Sequence, residues 1–169
     1  MTTINTGSPQ QVGIGAARTP GLLVALAVAS PLALWIGLLG PAWIYMPASP
    51  AAGTPPMYLS FADLATMYAQ SPSALQLAYF DWMAWVFAVV GTVLALLLSW
   101  RPNSVVALSA VIAGITELAL AALASKGDAP WSGMNPESIR LGAALVLFGY
   151  TALAALGIVA LRAARRDPA

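Results

Sequence analysis

The chain has 169 residues, 60% of them hydrophobic and 8% charged, with a net charge of +1 and a mean hydropathy of +0.81. Soluble domains carry about a quarter charged residues, so a soluble enzyme domain is set aside, and the few, scattered basic residues argue against nucleic acid as a partner. With no cysteine and no histidine, the chain cannot by itself form a disulfide, ligate an Fe–S cluster, hold haem or zinc through histidine, or build a Ser-His-Asp triad.

Residues Met1–Pro20 are rich in Thr, Gly, Ser, Pro and Gln and read as a disordered tail with Arg18 as its one charge. Four apolar segments follow: Gly21–Met46, Leu75–Trp100, Val105–Ala124 and Ile139–Leu161. Each is near the ~20 helical residues that cross a ~30 Å hydrocarbon core. Together they make one domain over 21–166, with 167–169 as a short C-terminal tail. The first segment begins like a signal peptide, with Ala27-Val28-Ala29 as a cleavage motif. It runs on through Trp35 to Trp43 and Tyr45, too long for that role, so an uncleaved span is expected, kinked at Pro31 and Pro41.

The loop 47–74 opens with Pro47, Pro50, Pro55 and Pro56. Ser60 and Asp63 then have the spacing of a capping box, with Asp in place of the usual Glu. Phe61, Leu64, Ala65 and Tyr68 fall at i, i+3, i+4 and i+7, which predicts a short helix over 61–69 lying in the membrane interface. Ser71-Pro72 supplies an N-cap and an N1 proline for the second span. Trp100-Arg101-Pro102 is a turn so tight that spans two and three must be antiparallel neighbours. Gly127 is a C-cap for span three, and Asn135-Pro136-Glu137 opens span four. The predicted fold class is all-α: a polytopic membrane protein with four transmembrane helices in an up-down bundle and a short interfacial helix in the first outer loop.

Basic residues set the orientation. Arg18, Arg101, Arg162, Arg165 and Arg166 fall on one side and Lys126 and Arg140 on the other, which makes this a multi-pass plasma-membrane protein with both termini cytoplasmic. Aromatic residues concentrate on the outer side. Tyr79, Phe80, Trp82, Trp85 and Trp131 are either part of an interfacial belt or an outer docking surface, and the near-absence of aromatics at the inner boundary favours the second.

Glu117 is the charge that needs an explanation. Counting ~1.5 Å per residue from Ser104 puts it about 20 Å above the cytoplasmic edge, where an unpaired carboxylate costs several kcal/mol. Ala110, Ala113, Gly114, Glu117, Ala121 and Ala124 form one stripe of mostly small residues, which turns Glu117 towards protein rather than lipid. Asp81 and Arg140 reach the same outer half, and Tyr150 points its side chain towards that level. The polar cluster Glu117, Asp81, Arg140 and Tyr150 is either a buried clasp that fixes the bundle or a site for a proton or a cationic or hydroxyl-bearing ligand. No catalytic, cofactor or metal residues are assigned.

The tract Ala78-Tyr79-Phe80-Asp81-Trp82-Met83-Ala84-Trp85-Val86, preceded by Phe61-Ala62-Asp63-Leu64, resembles small four-helix membrane proteins of mycobacteria and related actinobacteria that have no assigned activity. The layout with a large first outer loop is shared with claudin-like proteins, whose paired loop cysteines are missing here, so that family is not carried over. The expected function is that of a non-catalytic accessory or assembly subunit of a larger cell-envelope or respiratory membrane complex, not an enzyme. The alternatives are a small transporter or lipid-handling protein that uses Glu117, and, further off, an intramembrane enzyme. Membrane lipids and other membrane subunits, or further copies of the chain, are the expected partners, with no cofactor and no nucleic acid.

The charge bias predicts the labelling pattern of single cysteines in whole cells. Gly53→Cys and Ala129→Cys should react with a membrane-impermeant thiol reagent, and Asn103→Cys should not. Reaction at Asn103 alone would mean the orientation is inverted.

Overall fold

The structure, a computed structural model, describes residues 19–48, 50, 53–70, 73–100, 103–126 and 139–166. The N-terminal tail through Arg18, the motifs at Ser71-Pro72, Arg101-Pro102, Gly127 and Asn135–Glu137, Trp131, and the tail 167–169 lie outside the described residues. The elements are α1 (Thr19–Leu39), β1 (Ile44–Met46), β2 (Met57–Leu59), α2 (Phe61–Tyr68), α3 (Ala74–Ala78), a π-helical turn (Tyr79–Met83), α4 (Ala84–Trp100), α5 (Ser104–Lys126) and α6 (Leu141–Arg166). Four stretches, Gly21–Leu39, Ala74–Trp100, Ser104–Ser125 and Leu141–Ala164, are long and apolar enough to cross a membrane. A mostly helical, multi-pass membrane protein follows from length and composition.

Small residues make up much of the buried faces of the long helices, although Leu34, Leu38, Leu98, Val146, Leu153 and Leu156 are buried as well. On α4, Ala84, Ala88, Gly91 and Ala95 are buried, while Val86, Val89, Val93 and Leu96 face outward. The same holds on α1, where Ala27, Ser30, Ala33 and Gly37 turn inward and Val24, Val28, Leu32 and Ile36 outward. A water-soluble protein would not leave this many large apolar side chains on its outer faces. In lipid there is no hydrophobic gain from pairing helices, so close backbone approach decides which faces meet.

Helix α6 is approached from both sides. A Cβ on Gly37 of α1 would lie 2.8 Å from the Gly142 carbonyl, and one on Gly149 would lie 2.7 Å from the Leu34 side chain. Against α5, a Cβ on Gly114 would meet the Tyr150 carbonyl at 2.7 Å, and one on Gly157 the Ala107 carbonyl at 2.5 Å. Both pairings run antiparallel, since rising numbers on one helix meet falling numbers on the other. A buried Ser30 hydroxyl donates to the Gly149 carbonyl at 2.9 Å, and the Trp35 indole donates to Thr92 of α4 at 3.0 Å.

The first span ends at Leu39 rather than at Met46, because Pro41 has no N–H with which to continue the helix. The chain then leaves the helix direction and forms a two-stranded antiparallel hairpin, β1 with β2, in the register Ile44–Leu59, Tyr45–Tyr58 and Met46–Met57. Sequence reasoning treated both strands as parts of a helix and a loop. Three-residue strands are too short to carry a period-2 pattern. Ile44 also bridges Ile139, and the Gly142 and Arg140 amides donate to the Ala42 and Trp43 carbonyls, both at 2.9 Å, so the hairpin is fastened to the start of α6. The Trp43 indole closes back onto the Gly37 carbonyl at 2.6 Å, satisfying one of the orphan acceptors at the end of α1.

Helix α2 has the predicted start and runs to Tyr68. The Asp63 amide donates to the Ser60 hydroxyl at 3.3 Å, while the Ser60 amide and hydroxyl donate to the Asp63 carboxylate at 2.8 and 2.6 Å. Phe61 and Leu64 are buried beneath it. Together the hairpin and α2 cover the end of the molecule formed by the last turns of α1 and α5 and the first turns of α3 and α6.

The Ser60 hydroxyl, and after it the Ser60 amide, hold the Asp63 carboxyl below its ordinary value of 3.8. A depressed folded value means the contribution is complete above that ordinary value and disappears as pH falls through the lower, folded one. Hydrogen exchange at the α2 amides, corrected for intrinsic rates, should therefore be flat from neutral to mildly acidic pH and accelerate only in stronger acid. Ser60→Ala should lose about 1 kcal/mol of helix protection already at neutral pH. Protection unchanged in that variant would mean the capping box does not hold α2.

Candidate functional site

Glu117 sits on the inward stripe of α5 with Ala107, Ala110, Gly114, Ala121 and Ala124, and it is 0% exposed. Two phenols face its carboxylate: Tyr79 from the π turn, 0% exposed, and Tyr150 from the middle of α6, 1% exposed. Neither carboxylate oxygen nor the Tyr79 hydroxyl has a partner in hydrogen-bonding geometry. The Tyr150 hydroxyl makes one long contact, 3.5 Å to the Ala84 carbonyl. Three helical elements thus bring one carboxyl and two phenols to a single buried point.

The π turn decides which residue of α4's N-terminal extension joins this group. The Ala84 amide donates to the Tyr79 carbonyl, five residues back, where an α-helix would use the fourth. Counting back from buried Ala84 in regular α-helix would put Phe80 and Asp81 on the inner face. The extra residue brings Tyr79 inward and leaves Asp81 exposed. Asp81 is therefore not part of the cluster, and Tyr79, which sequence reasoning assigned to a docking surface, is.

Arg140 is also elsewhere. Its guanidinium carbon lies 4.7 Å from the centroid of Tyr45 and 5.9 Å from that of Tyr58, over the outer face of the hairpin. Among the described residues no ion pair joins it to Glu117 or Asp81, and its Nε is buried without a partner. The hairpin supplies the aromatic faces that hold it, and a helix-only reading had no such faces to offer. Of the four residues proposed as a polar cluster, the structure brings Glu117 and Tyr150 together and separates Asp81 and Arg140 from them.

The proposed outer aromatic surface divides in the same way. Phe80 is 2% exposed and packs between Phe61, at 5.5 Å, and Tyr68, stacked at 4.8 Å. Trp85 is half-buried edge-on against Phe61 at 5.4 Å, and Trp43, buried, meets Phe61 at 4.9 Å. Tyr79 and Phe80 are therefore interior, and these rings form the core that seats the hairpin and α2. Trp82 remains outside, 53% exposed.

Beside this ring core a cleft of ≈ 180 Å³ opens between the cap, α5 and α6, lined by Trp43, Ile44, Tyr68, Phe80, Ala121, Ala122, Ser125, Ile139, Ala143, Val146 and Leu147. Gln76 reaches across to cap α5, its side-chain amide donating to the Ala124 carbonyl at 3.0 Å. No group of three metal-ligating side chains occurs among the described residues. In comparisons with known proteins, no family model, curated protein or solved structure matches the chain.

The geometry sets the outcome of a mutant cycle measured by thermal stability in detergent. Glu117→Gln and Arg140→Leu should be additive, because the residues share no partner, with Arg140→Leu losing about 1 kcal/mol of ring–cation attraction. Glu117→Gln and Tyr79→Phe should deviate from additivity by at least about 0.5 kcal/mol. Coupling between Glu117 and Arg140 in place of Tyr79 would overturn this assignment of neighbours.

Proposed function

We propose that the chain is a non-catalytic integral membrane protein that serves as an accessory or assembly subunit of a larger cell-envelope or respiratory membrane complex. In this reading the four spans form an up-down bundle in the plasma membrane with both chain ends cytoplasmic. The hairpin and α2 then rest at the outer interface. The observation that carries it is the exposed apolar surface of the cap, Met46 at 40%, Met57 at 41%, Tyr58 at 65% and Met67 at 46% exposure, with Trp82 of the π turn at 53%. The aromatic core beneath and the hydrogen bonds to α6 fix this surface in place, which suits docking to a protein. Flexible methionines beside rigid aromatic rings are the side chains such contacts favour.

A second reading, a small transporter or lipid-handling protein, is favoured by the cleft beside the cap, whose apolar lining suits an acyl chain or a similar apolar body.

A photo-crosslinking residue at Tyr58 or Trp82, activated in cells, should give one discrete adduct with another membrane protein, and that protein should copurify stoichiometrically in mild detergent. Adducts with lipid alone, from a homo-oligomer that retains bound lipid, would sink the subunit reading in favour of the second.

A further inference from the structure

Within the spanning stretches of α1, of Ala74–Trp100 and of α5 there is no lysine or arginine, and the first in α6 is Arg162, three turns beyond Tyr150. Arg140, at the start of α6, is committed to Tyr45 and Tyr58. Lys126 closes α5 nine residues beyond Glu117, about 13 Å further along the axis. The ionisable groups that face Glu117 are Tyr79 from the π turn and Tyr150 from α6. Asp81 is turned out, and the spanning part of α1 contributes no ionisable side chain. Nothing among these neutralises a carboxylate, yet Glu117 is fully buried with both oxygens unpartnered.

We propose that Glu117, Tyr79 and Tyr150 form a buried binding site for one bare monovalent cation, loaded from the cap end. Glu117 supplies the charge, and the phenol oxygens, backed by the Ala84 carbonyl, supply further lone pairs. A proton and an alkali cation share this chemistry. Both are small, and both replace the missing positive charge inside the bundle.

The approach is built from the same three elements. Ala121 stands one helical turn beyond Glu117, Val146 one turn before Tyr150, and Phe80 next to Tyr79, and all three line the cleft. The cleft floor is therefore set by residues within about one helical turn of Glu117, Tyr79 and Tyr150 along their own elements. The cleft is lined mostly by apolar groups, with the Ser125 hydroxyl and the Tyr68 phenol among its few polar ones. The site is thus buried in protein on the membrane side and thinly separated from the medium on the cap side.

Infrared difference spectroscopy of the full chain in phospholipid nanodiscs tests this, with the Glu117 band identified by its loss in Glu117→Gln. In buffer whose only cation is N-methylglucamine, a neutral carboxylic-acid band means the bound cation is a proton. An ionised band that shifts when Na⁺ or K⁺ is added means it is an alkali cation. An ionised band that moves with neither alkali cations nor pH overturns the site. Tyr79→Phe and Tyr150→Phe should each displace the Glu117 band, and displacement by neither would remove the phenols from it. Loading from the cap end predicts that Ala143→Leu, which fills the cleft, slows the band's response to deuterium or alkali cation about tenfold or more. Ser125→Phe at the rim is the second such variant should Ala143→Leu fail to fold. Unchanged rates in the folded variants would overturn the route.

Discussion

Close approach of the α6 backbone to α1 and α5 is the contact on which the remaining structure rests. Helices in lipid gain little from covering apolar surface, so what joins them is dispersion and polar contact at short range. Gly114 and Gly157 leave backbone atoms of the neighbouring helix, and Gly149 the Leu34 side chain, where a Cβ would stand. That proximity carries the Ser30 hydroxyl to the Gly149 carbonyl, and it brings Tyr150, on the same seam, against the stripe that holds Glu117. A wider helix pair would have left room for lipid or water beside the carboxylate.

Glu117 is consequently in a position that few side chains tolerate. Removing a carboxylate from water is costly unless charge and hydrogen bonds are returned to it, and here the chain returns neither in full. Phenols are weak substitutes for an ammonium or guanidinium group. They line the point without neutralising it, which leaves the site fitted to something that arrives from outside. The alanines and glycines on the rest of the stripe make Glu117 the one side chain there that packing alone does not explain.

Much of this was legible in the sequence because the signals were local or periodic. The four apolar runs needed only their length, the capping box only the Ser60–Asp63 spacing, and the inward aim of Glu117 only the small residues at its helical spacings. What escaped was set by single-residue departures from regularity. One inserted residue in the π turn exchanges Tyr79 for Asp81 on the inner face, and no pattern in Tyr79–Met83 announces it. Proline at 41 was legible as a helix breaker, but the pairing of Met57–Leu59 with Ile44–Met46 is a contact across a loop, visible only once the strands meet. Arg140 followed from that omission. Placed on helices alone, its nearest attractive groups were Glu117 and Asp81, whereas the hairpin offers it two aromatic faces.

The π turn also joins the two regions of the molecule that carry chemistry. Tyr79 and Phe80 are consecutive, their rings edge to face at 5.2 Å, yet one faces Glu117 and the other is stacked on Tyr68 of α2. A surface contact that shifts α2 acts on Phe80 directly, and the backbone passes that displacement to Tyr79 over a single residue. The cap and the buried acid are therefore joined through one five-residue element, with the aromatic core between them.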